Sequence, residues 1–161
     1  MTSAMTQAMT PIDLKILDPR MADAVLQRID DAEIFIGVAA VADYAPETSR
    51  ERKIKKTDEA MTLLLRPTVD ILATIAGRQN PPYCVGFAAE SHDLLKHARE
   101  KLERKGVPLI VGNLGPATFG QDDNALTLVD AQGHQELARA DKLTLARRLV
   151  AEIARRLPAA S

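Results

Sequence analysis

The sequence predicts an α/β fold with a Rossmann-like, mainly parallel sheet, flanking helices and a C-terminal β-hairpin. Short apolar runs typical of buried strands alternate with segments of helical periodicity. Residues 34–42 are all apolar or glycine, which is typical of a strand buried on both faces of a parallel sheet. Near the C-terminus, Ala131, Gln132 and Gly133 separate two strand-like segments, which is a hairpin signal.

The bulk composition indicates one domain. The 161 residues are 46% hydrophobic, enough for one sizeable core but not for two domains. The net charge of −1 provides no global field for nucleic acid or an anionic membrane, so any anion site must be local. The single cysteine, Cys84, excludes an internal disulfide. No membrane span or signal peptide is recognisable, and we expect a cytoplasmic protein.

The first elements are predicted from local signals. Residues 1–11 lack apolar periodicity and are expected to form a disordered leader, and residues 12–158 form the domain. Alternating apolar residues predict a strand over 12–16. Asp18 and Pro19 supply an N-cap and a first-turn proline for a helix that reaches about Asp30. The apolar strand at 33–42 follows.

The next segment is polar and basic. Residues 44–58 contain Pro46 and predict a mobile loop whose length suggests a flap. A strand is expected over 61–65. Thr68 is the predicted N-cap of a helix that Gly77 closes.

The remaining elements alternate regularly. A strand over 83–89 precedes a helix with Ser91 as its predicted N-cap and Gly106 at its end. A strand over 107–111 follows. After a loop over 112–123, segments 126–130 and 135–138 form the hairpin, and the last helix begins at Asp141. Two apolar helix faces are expected, formed by Leu94, Leu95, Ala98 and Leu102 and by Leu145, Leu149, Ile153 and Leu157.

A local anion site is predicted beside the apolar strand. Ligands of open α/β sheets bind beyond the carboxyl ends of the strands, where Asp43 lies. Lys53, Lys55 and Lys56 follow on the next loop and could neutralise phosphates. The alternatives are a turn-capping aspartate and a solvated basic loop.

Five stretches carry a resemblance to a known family. In order, AAVADY, KIKK, VDIL, GFAAES and KLERKG resemble the motifs of phosphopantothenoylcysteine synthetase, the CTP-dependent ligase of coenzyme A synthesis. The resemblance covers residues 34–157. It implies that CTP activates the carboxylate of 4'-phosphopantothenate as an acyl cytidylate, with Mg²⁺ on the phosphates, before the amine of cysteine attacks. FMN would belong only to a fused decarboxylase domain that is not present here.

The resemblance also implies which residues bind the nucleotide. Lys53 is the expected catalytic residue, on a flap that closes over the site. Lys101 and Lys105 lie four apart on one helical face and are expected at the phosphates, although the spacing alone suits a solvent face. The full expected set is Gly37, Val38, Ala39, Asp43, Lys53, Thr68, Val69, Asp70, Ile71, Phe87, Lys101 and Lys105. The ring of Phe87 would pack on the pyrimidine, or it is simply part of the core.

The chain departs from the family pattern in two places. Thr68 and Val69 stand where the family has the Asn-Pro of its Asn-Pro-Asp-Ile motif. The Gly-Pro-Thr strand and the Asn-His-Ser-Ser-Gly loop do not occur, so we expect a domain incomplete at its N-terminal side. The strand over 34–42 would then have an exposed edge, which we expect another chain, a swapped segment or the leader to cover. A homodimer or higher oligomer is expected.

Two function classes therefore remain. The chain is either the ligase, acting on CTP, 4'-phosphopantothenate and cysteine, or a non-catalytic nucleotide-binding fragment or assembly subunit whose partner supplies the asparagine loop. A flavin or nicotinamide protein is a weak third possibility, because residues 112–120 lack the dinucleotide glycine spacing.

Other chemistries are not favoured. Ser91, His92 and Asp93 are adjacent, so their side chains diverge and cannot form a hydrolytic triad. The three histidines lack metal-ligand spacing, and no protein-held metal site is expected. Cys84 is expected to be a small buried hydrophobe.

Overall fold

A five-stranded mixed sheet organises the chain in the computed structural model, which describes residues 20–48, 54–56, 58, 60–114 and 121–157. The predicted leader, the strand over 12–16 and the cap at Asp18 and Pro19 lie outside the described residues, as does Lys53. The strands are β1 (Ile34–Gly37), β2 (Tyr44–Pro46), β3 (Leu65–Pro67), β4 (Tyr83–Glu90), β5 (Leu109–Leu114), β6 (Asp123–Asp130) and β7 (Gly133–Asp141). The helices are α1 (Arg20–Leu26), α2 (Ile71–Ala76), α3 (Leu94–Lys105) and α4 (Lys142–Arg156).

The strand order is β1-β4-β5-β6-β7. β1, β4 and β5 are parallel, and β6 and β7 are antiparallel additions at the other side. The parallel strands are joined through α2 and α3, as helical crossovers require. The predicted α/β class with a C-terminal hairpin is confirmed.

The helices cover the two faces of the sheet unequally. Core residues of α1, α2 and α3 share one cluster with Cys84, Ala88 and Ile110 of the sheet. On the other face α4 packs over β6 and β7, where its Leu145, Leu149 and Ile153 are buried. Cys84 is buried as expected, and burial raises the pKa of its thiol.

Two strand glycines bring the helices close to the sheet. A Cβ built on Gly86 would lie 2.6 Å from Cδ2 of Leu72, and one on Gly112 would lie 2.7 Å from Cδ1 of Leu94. A side chain at either position would require the neighbouring leucine to move. α2 and α3 therefore lie directly against β4 and β5.

β1 is shorter and more exposed than predicted. It ends at Gly37, and among the described strands it pairs with β4 alone. Phe35 packs toward the α1–α3 face, so Ile34 and Ile36 point to the other face, where they are 37% and 38% exposed. The expectation of a strand buried on both faces was therefore wrong, because α4 covers β6 and β7 rather than β1.

The predicted loop over 44–58 begins as a strand. β2 pairs antiparallel with β3, and the Glu47 N–H donates to the Leu64 carbonyl at 2.9 Å to extend the ladder. The strand expected over 61–65 instead begins at Leu65. β2 and β3 thus form the two-stranded base of an arm, and the described residues Lys55 and Lys56 lie between these strands in the sequence.

Several helix ends differ from the predictions. α1 ends at Leu26, four residues before the expected end. Asp70, not Thr68, caps α2 by accepting a 3.0 Å hydrogen bond from the Ala73 N–H. Asp93, not Ser91, precedes α3, in a left-handed conformation (φ 49°) and without a side-chain cap bond.

The predicted inner face of α3 is also only partly correct. Leu95 is 40% exposed, although Ala98 is fully buried and Gly106 ends the helix in a left-handed conformation as expected.

The C-terminal half follows the sequence closely. Asp130 accepts hydrogen bonds from the backbone N–H groups of Gln132 (2.9 Å) and Gly133 (3.0 Å), which fixes a tighter hairpin turn than predicted. β5 and β6 extend into the loop predicted over 112–123. Asp141 caps α4 through Thr144, and Leu157 is a partly exposed C-cap rather than a buried face residue.

No helix among the described residues is long and apolar enough to cross a membrane.

Candidate functional site

The candidate site lies where β1 ends and β4 continues. The pairing of β1 with β4 stops at Gly37 and Gly86, and the last four residues of β4 pair with β5 alone among the described strands. The chain that leaves β1 leads to Asp43 and then to the arm. A crevice beyond the carboxyl ends of parallel strands is the usual ligand position in open α/β sheets.

The base of the arm is fastened at this crevice by Thr68. Its hydroxyl donates to the Ala42 carbonyl at 2.5 Å, and its backbone N–H donates to the Asp43 carbonyl at 2.9 Å. The two segments at the base of the arm are therefore joined at Thr68, two residues before Asp70. Thr68 stands where the family pattern has asparagine, and its hydroxyl serves here to join the two segments of the arm.

Asp70 joins the arm to α3. Besides capping α2, its carboxylate forms an ion pair with the ammonium group of Lys105, whose side chain is only 15% exposed. Partial burial raises the pKa of Asp70, but the hydrogen bonds from Lys105 and Ala73 outweigh it. With the positive charges of Lys105 and Arg104 added, the pKa of Asp70 lies below its ordinary value.

Lys101 lies one helical turn away on the same face of α3. Its ammonium group donates to the Phe87 carbonyl at 2.6 Å. Burial is the main cause that lowers the pKa of Lys101, and the positive charges of Lys105 and Arg104 lower it further. The negative charges of Glu90 and Asp43 act in the opposite direction but do not cancel this effect. Lys101 and Lys105 therefore share one region with Asp43 and Asp70.

The other predicted contacts near the strand ends differ in availability. Val38 and Ala39, which follow Gly37 at the end of β1, are exposed, as are Val69, Lys55 and Lys56. The side chain of Ile71 is buried in the core, which leaves only its backbone for a ligand. The predicted catalytic residue, Lys53, lies outside the described residues.

Phe87 contributes to two surfaces. Its half-buried ring packs against the cluster that includes Val85 and Val111, on the α4 face of the sheet. Its carbonyl meets Lys101, which comes from the opposite face. Stacking of this ring on a pyrimidine stays a prediction.

Sequence reasoning missed a second acidic group at this edge. Glu90 ends β4 as Asp43 follows β1, so the same strand-end argument could have identified it. Its Oε2 atom lies 3.2 Å from Nδ1 of His97 on α3. The pairing itself was not predictable, because it depends on how α3 lies against β4.

A separate cavity of about 900 Å³ lies on the other side of the first turn of α3. It is lined by residues of that turn and of β5–β7, including His92, Asp93, Asn124, Glu136 and Arg139. Ser91 and His92 contact each other there, with Oγ 2.8 Å from Nδ1, but Asp93 starts α3 rather than completing a triad.

Among the described residues, no three histidine, cysteine, aspartate or glutamate side chains gather in a way that could hold a metal ion.

The fold and this charged strand edge define an α/β domain with a candidate anion site. Residues 7–157 match the family described as DNA/pantothenate metabolism flavoprotein C-terminal domain, and the chain belongs to that family.

Similar proteins fit this membership. The chain is 38% identical over 154 residues to the coenzyme A biosynthesis bifunctional protein CoaBC of Vibrio vulnificus, covering 89% of this chain and 38% of that protein. It is 42% identical over 138 residues to CoaBC of Bacillus subtilis, covering 83% of this chain and 34% of that protein. The chain thus spans little more than a third of these relatives.

A solved structure gives the same result. The crystal structure of the C-terminal domain of CoaBC superposes with a TM-score of 0.65 at 30% identity, over 83% of this chain and 59% of that one. The resemblance inferred from the motifs is therefore confirmed at the level of family and fold.

Proposed function

We propose that this chain is the nucleotide-binding part of a CTP-dependent ligase that joins 4'-phosphopantothenate to cysteine in coenzyme A biosynthesis. The observation that carries the proposal is the convergence of Lys101, Lys105 and Asp43 at the carboxyl edge of β4. Family membership supports the same reaction class. The chain would act in a cytoplasmic pathway on small-molecule substrates.

The proposed reaction has two steps. A carboxylate oxygen of 4'-phosphopantothenate attacks the α-phosphorus of CTP, and the bond to the β-phosphate breaks to release pyrophosphate. The amine nitrogen of cysteine then attacks the acyl carbon, CMP leaves with the bonding electron pair, and the amine loses a proton. Both leaving groups are phosphate anions, so cationic side chains at the phosphates favour both steps.

The lysines would supply this charge stabilisation. Lys101 and Lys105 project from one helix toward the gap beside β4, and they carry charge without being nucleophiles. Lys53 from the arm is proposed as the third cation and the catalytic residue. Mg²⁺ would arrive bound to the triphosphate and screen its charge, with Asp43 as the neighbouring exposed carboxylate.

The remaining proposed contacts concern the nucleoside. The segment from Gly37 to Ala39, in which Val38 and Ala39 are exposed, and the segment from Thr68 to Ile71 would border the base and ribose. Phe87 would contact the pyrimidine. Selectivity for CTP over ATP is part of this proposal.

The second candidate is a non-catalytic fragment or assembly subunit that needs a partner. One observation favours it: among the described strands β1 pairs with β4 alone, and its isoleucines are more than a third exposed, so a further strand could pair at this edge. A homodimer or higher oligomer belongs to this proposal.

Calorimetric titration with CTP, and in parallel with ATP, tests the site. We expect Lys101→Gln and Lys105→Gln each to weaken CTP binding roughly tenfold to a hundredfold, because each removes a charge-assisted contact. Lys142→Gln, an exposed lysine at the start of α4, is the matched control and should bind like the wild type. Equal affinities for all four proteins would remove the site.

A turnover assay separates the two candidates. Formation of phosphopantothenoylcysteine by the isolated chain would exclude the fragment hypothesis. CTP binding without turnover would reduce the proposal to a nucleotide-binding subunit.

A further inference from the structure

The base of the arm has two faces of different character, because successive side chains of a strand point to opposite sides of a sheet. One face carries Glu47 and Arg66, whose side chains form an ion pair. The other face consists of two cross-strand pairs without a charged group. These pairs are Tyr44 with Pro67 and Pro46 with Leu65. We call these four residues the apolar arm face.

The two prolines determine how this ribbon can meet another chain. Hydrogen bonds between β2 and β3 use the positions that alternate with the apolar ones, as in the 2.9 Å bond from the Thr68 N–H to the Asp43 carbonyl. The backbone groups of the apolar pairs therefore point to the outer edges of the ribbon, where Pro46 and Pro67 have no N–H to donate. Both edges are poor templates for a further strand, so a partner has to pack on the face.

The apolar arm face is open to solvent. Tyr44 is 57% exposed and Leu65 is 47% exposed, and both prolines are exposed as well. Leu63 precedes Leu65 by two residues, continues the same side of the ribbon and is 55% exposed. A two-stranded ribbon is marginally stable at best in water, so this exposed apolar surface indicates a face that another element covers.

The size of this surface suits a second copy of the chain. Side chains of this kind present roughly 100–200 Å² each when fully exposed. At about half exposure, the apolar arm face with Leu63 and the exposed Met61 presents on the order of 500 Å². Two such faces together bury about 1,000 Å², which is the lower limit for a specific association. A face without charge also matches itself across a two-fold axis.

We propose that the apolar arm face is the contact between two copies of this chain, which are related by a two-fold axis and pack their arms face to face. The inference goes beyond the proposed function and does not depend on which ligand binds. It assigns self-association to the arm rather than to the open edge of β1.

Sedimentation equilibrium of the whole chain, over a wide range of protein concentrations, measures the association. Leu65→Glu places an unpaired carboxylate in both faces and should weaken the dimer by roughly a hundredfold or more. The matched control is Leu64→Glu. Leu64 is the adjacent residue, is 62% exposed and lies on the face that carries Glu47 and Arg66, so this variant should dimerise like the wild type. Circular dichroism checks that both variants are folded.

Cross-linking supplies a second measurement on the folded protein. Leu65→Cys should form a disulfide-linked dimer under mild oxidation, whereas Leu64→Cys should stay largely unlinked. The native Cys84 is buried and does not compete. A chain that is monomeric at every concentration would overturn the inference. A dimer that persists equally in Leu65→Glu and Leu64→Glu would also overturn it, because the copies would then meet at another surface.

Discussion

The two edges of the sheet, β1 at one and the β6–β7 hairpin at the other, differ in how completely they are packed. Around β6, β7 and α4, residues such as Leu128, Val129 and Ile153 are inaccessible or nearly so. At β1, Ile34 and Ile36 remain more than a third exposed, and the neighbouring end of β4 is bordered by charged groups. The comparison shows that the candidate site occupies the part of the sheet where packing is incomplete and backbone groups remain available.

Core truncation should expose this difference most strongly. Leu128→Ala removes a fully buried side chain and should lower the free energy of unfolding by about 2–5 kcal/mol. Ile36→Ala, on the open side, should cost about 1 kcal/mol or less, because part of that side chain is already in water. Denaturant unfolding of both variants checks this. Equal losses would mean that β1 is covered in solution.

A smaller effect is expected at the contact between sheet and α2. Gly86→Ala places a methyl group against Leu72 and Ile110, and overpacking of this kind costs about 1–3 kcal/mol. Adding Leu72→Ala to Gly86→Ala should recover part of the loss, since it removes the nearest contact. Thermal unfolding of the single and double variants measures the recovery. A double variant less stable than both single variants would contradict this account.

The smallest expected effect concerns the stability, in acid, of the well-packed region around β6, β7 and α4. Glu152 accepts hydrogen bonds from Arg156 (2.6 Å) and Gln135 (3.0 Å) and also pairs with Arg155. The hydrogen bond from Arg156 is the main reason that the pKa of Glu152 lies below its ordinary value of 4.5. The resulting stabilisation is complete above that ordinary value and is lost as the pH falls through the lower folded value.

Glu152→Gln should therefore lower the unfolding temperature slightly at neutral pH and leave a flatter decline below pH 4.5 than the wild type shows. Thermal unfolding across an acid pH series measures both. Parallel curves for the two proteins would show that Glu152 does not couple stability to pH.

The predictable part of the fold is the part set by local signals. The hairpin turn after Asp130 and the Asp141 cap follow from side chains that bond to their own backbone, so both were evident in the sequence. The extent of β1 was not evident in the sequence. An apolar run indicates that residues are buried, but it does not indicate which neighbouring element buries them. The swap of caps at α2 had a similar cause: Thr68 and Asp70 are both good capping residues, and the arm engages Thr68.

The candidate site was predictable only as a set of motifs. The lysine spacing on α3 indicated one shared face, and the structure places Lys101 and Lys105 together beside β4. Their partners were not predictable, because Phe87 and Asp70 lie 14 and 35 residues away along the chain. The binding roles of the individual residues stay predictions.

The Asp70–Lys105 pair has a consequence for how an anion would enter. Before any ligand arrives, Lys105 already carries a counter-ion that is covalently part of the protein. An incoming phosphate must compete with that carboxylate, and it displaces Asp70 rather than a dissolved chloride. Affinity should therefore fall less steeply with added salt than two unpaired lysines would require, because fewer small ions are released into solution.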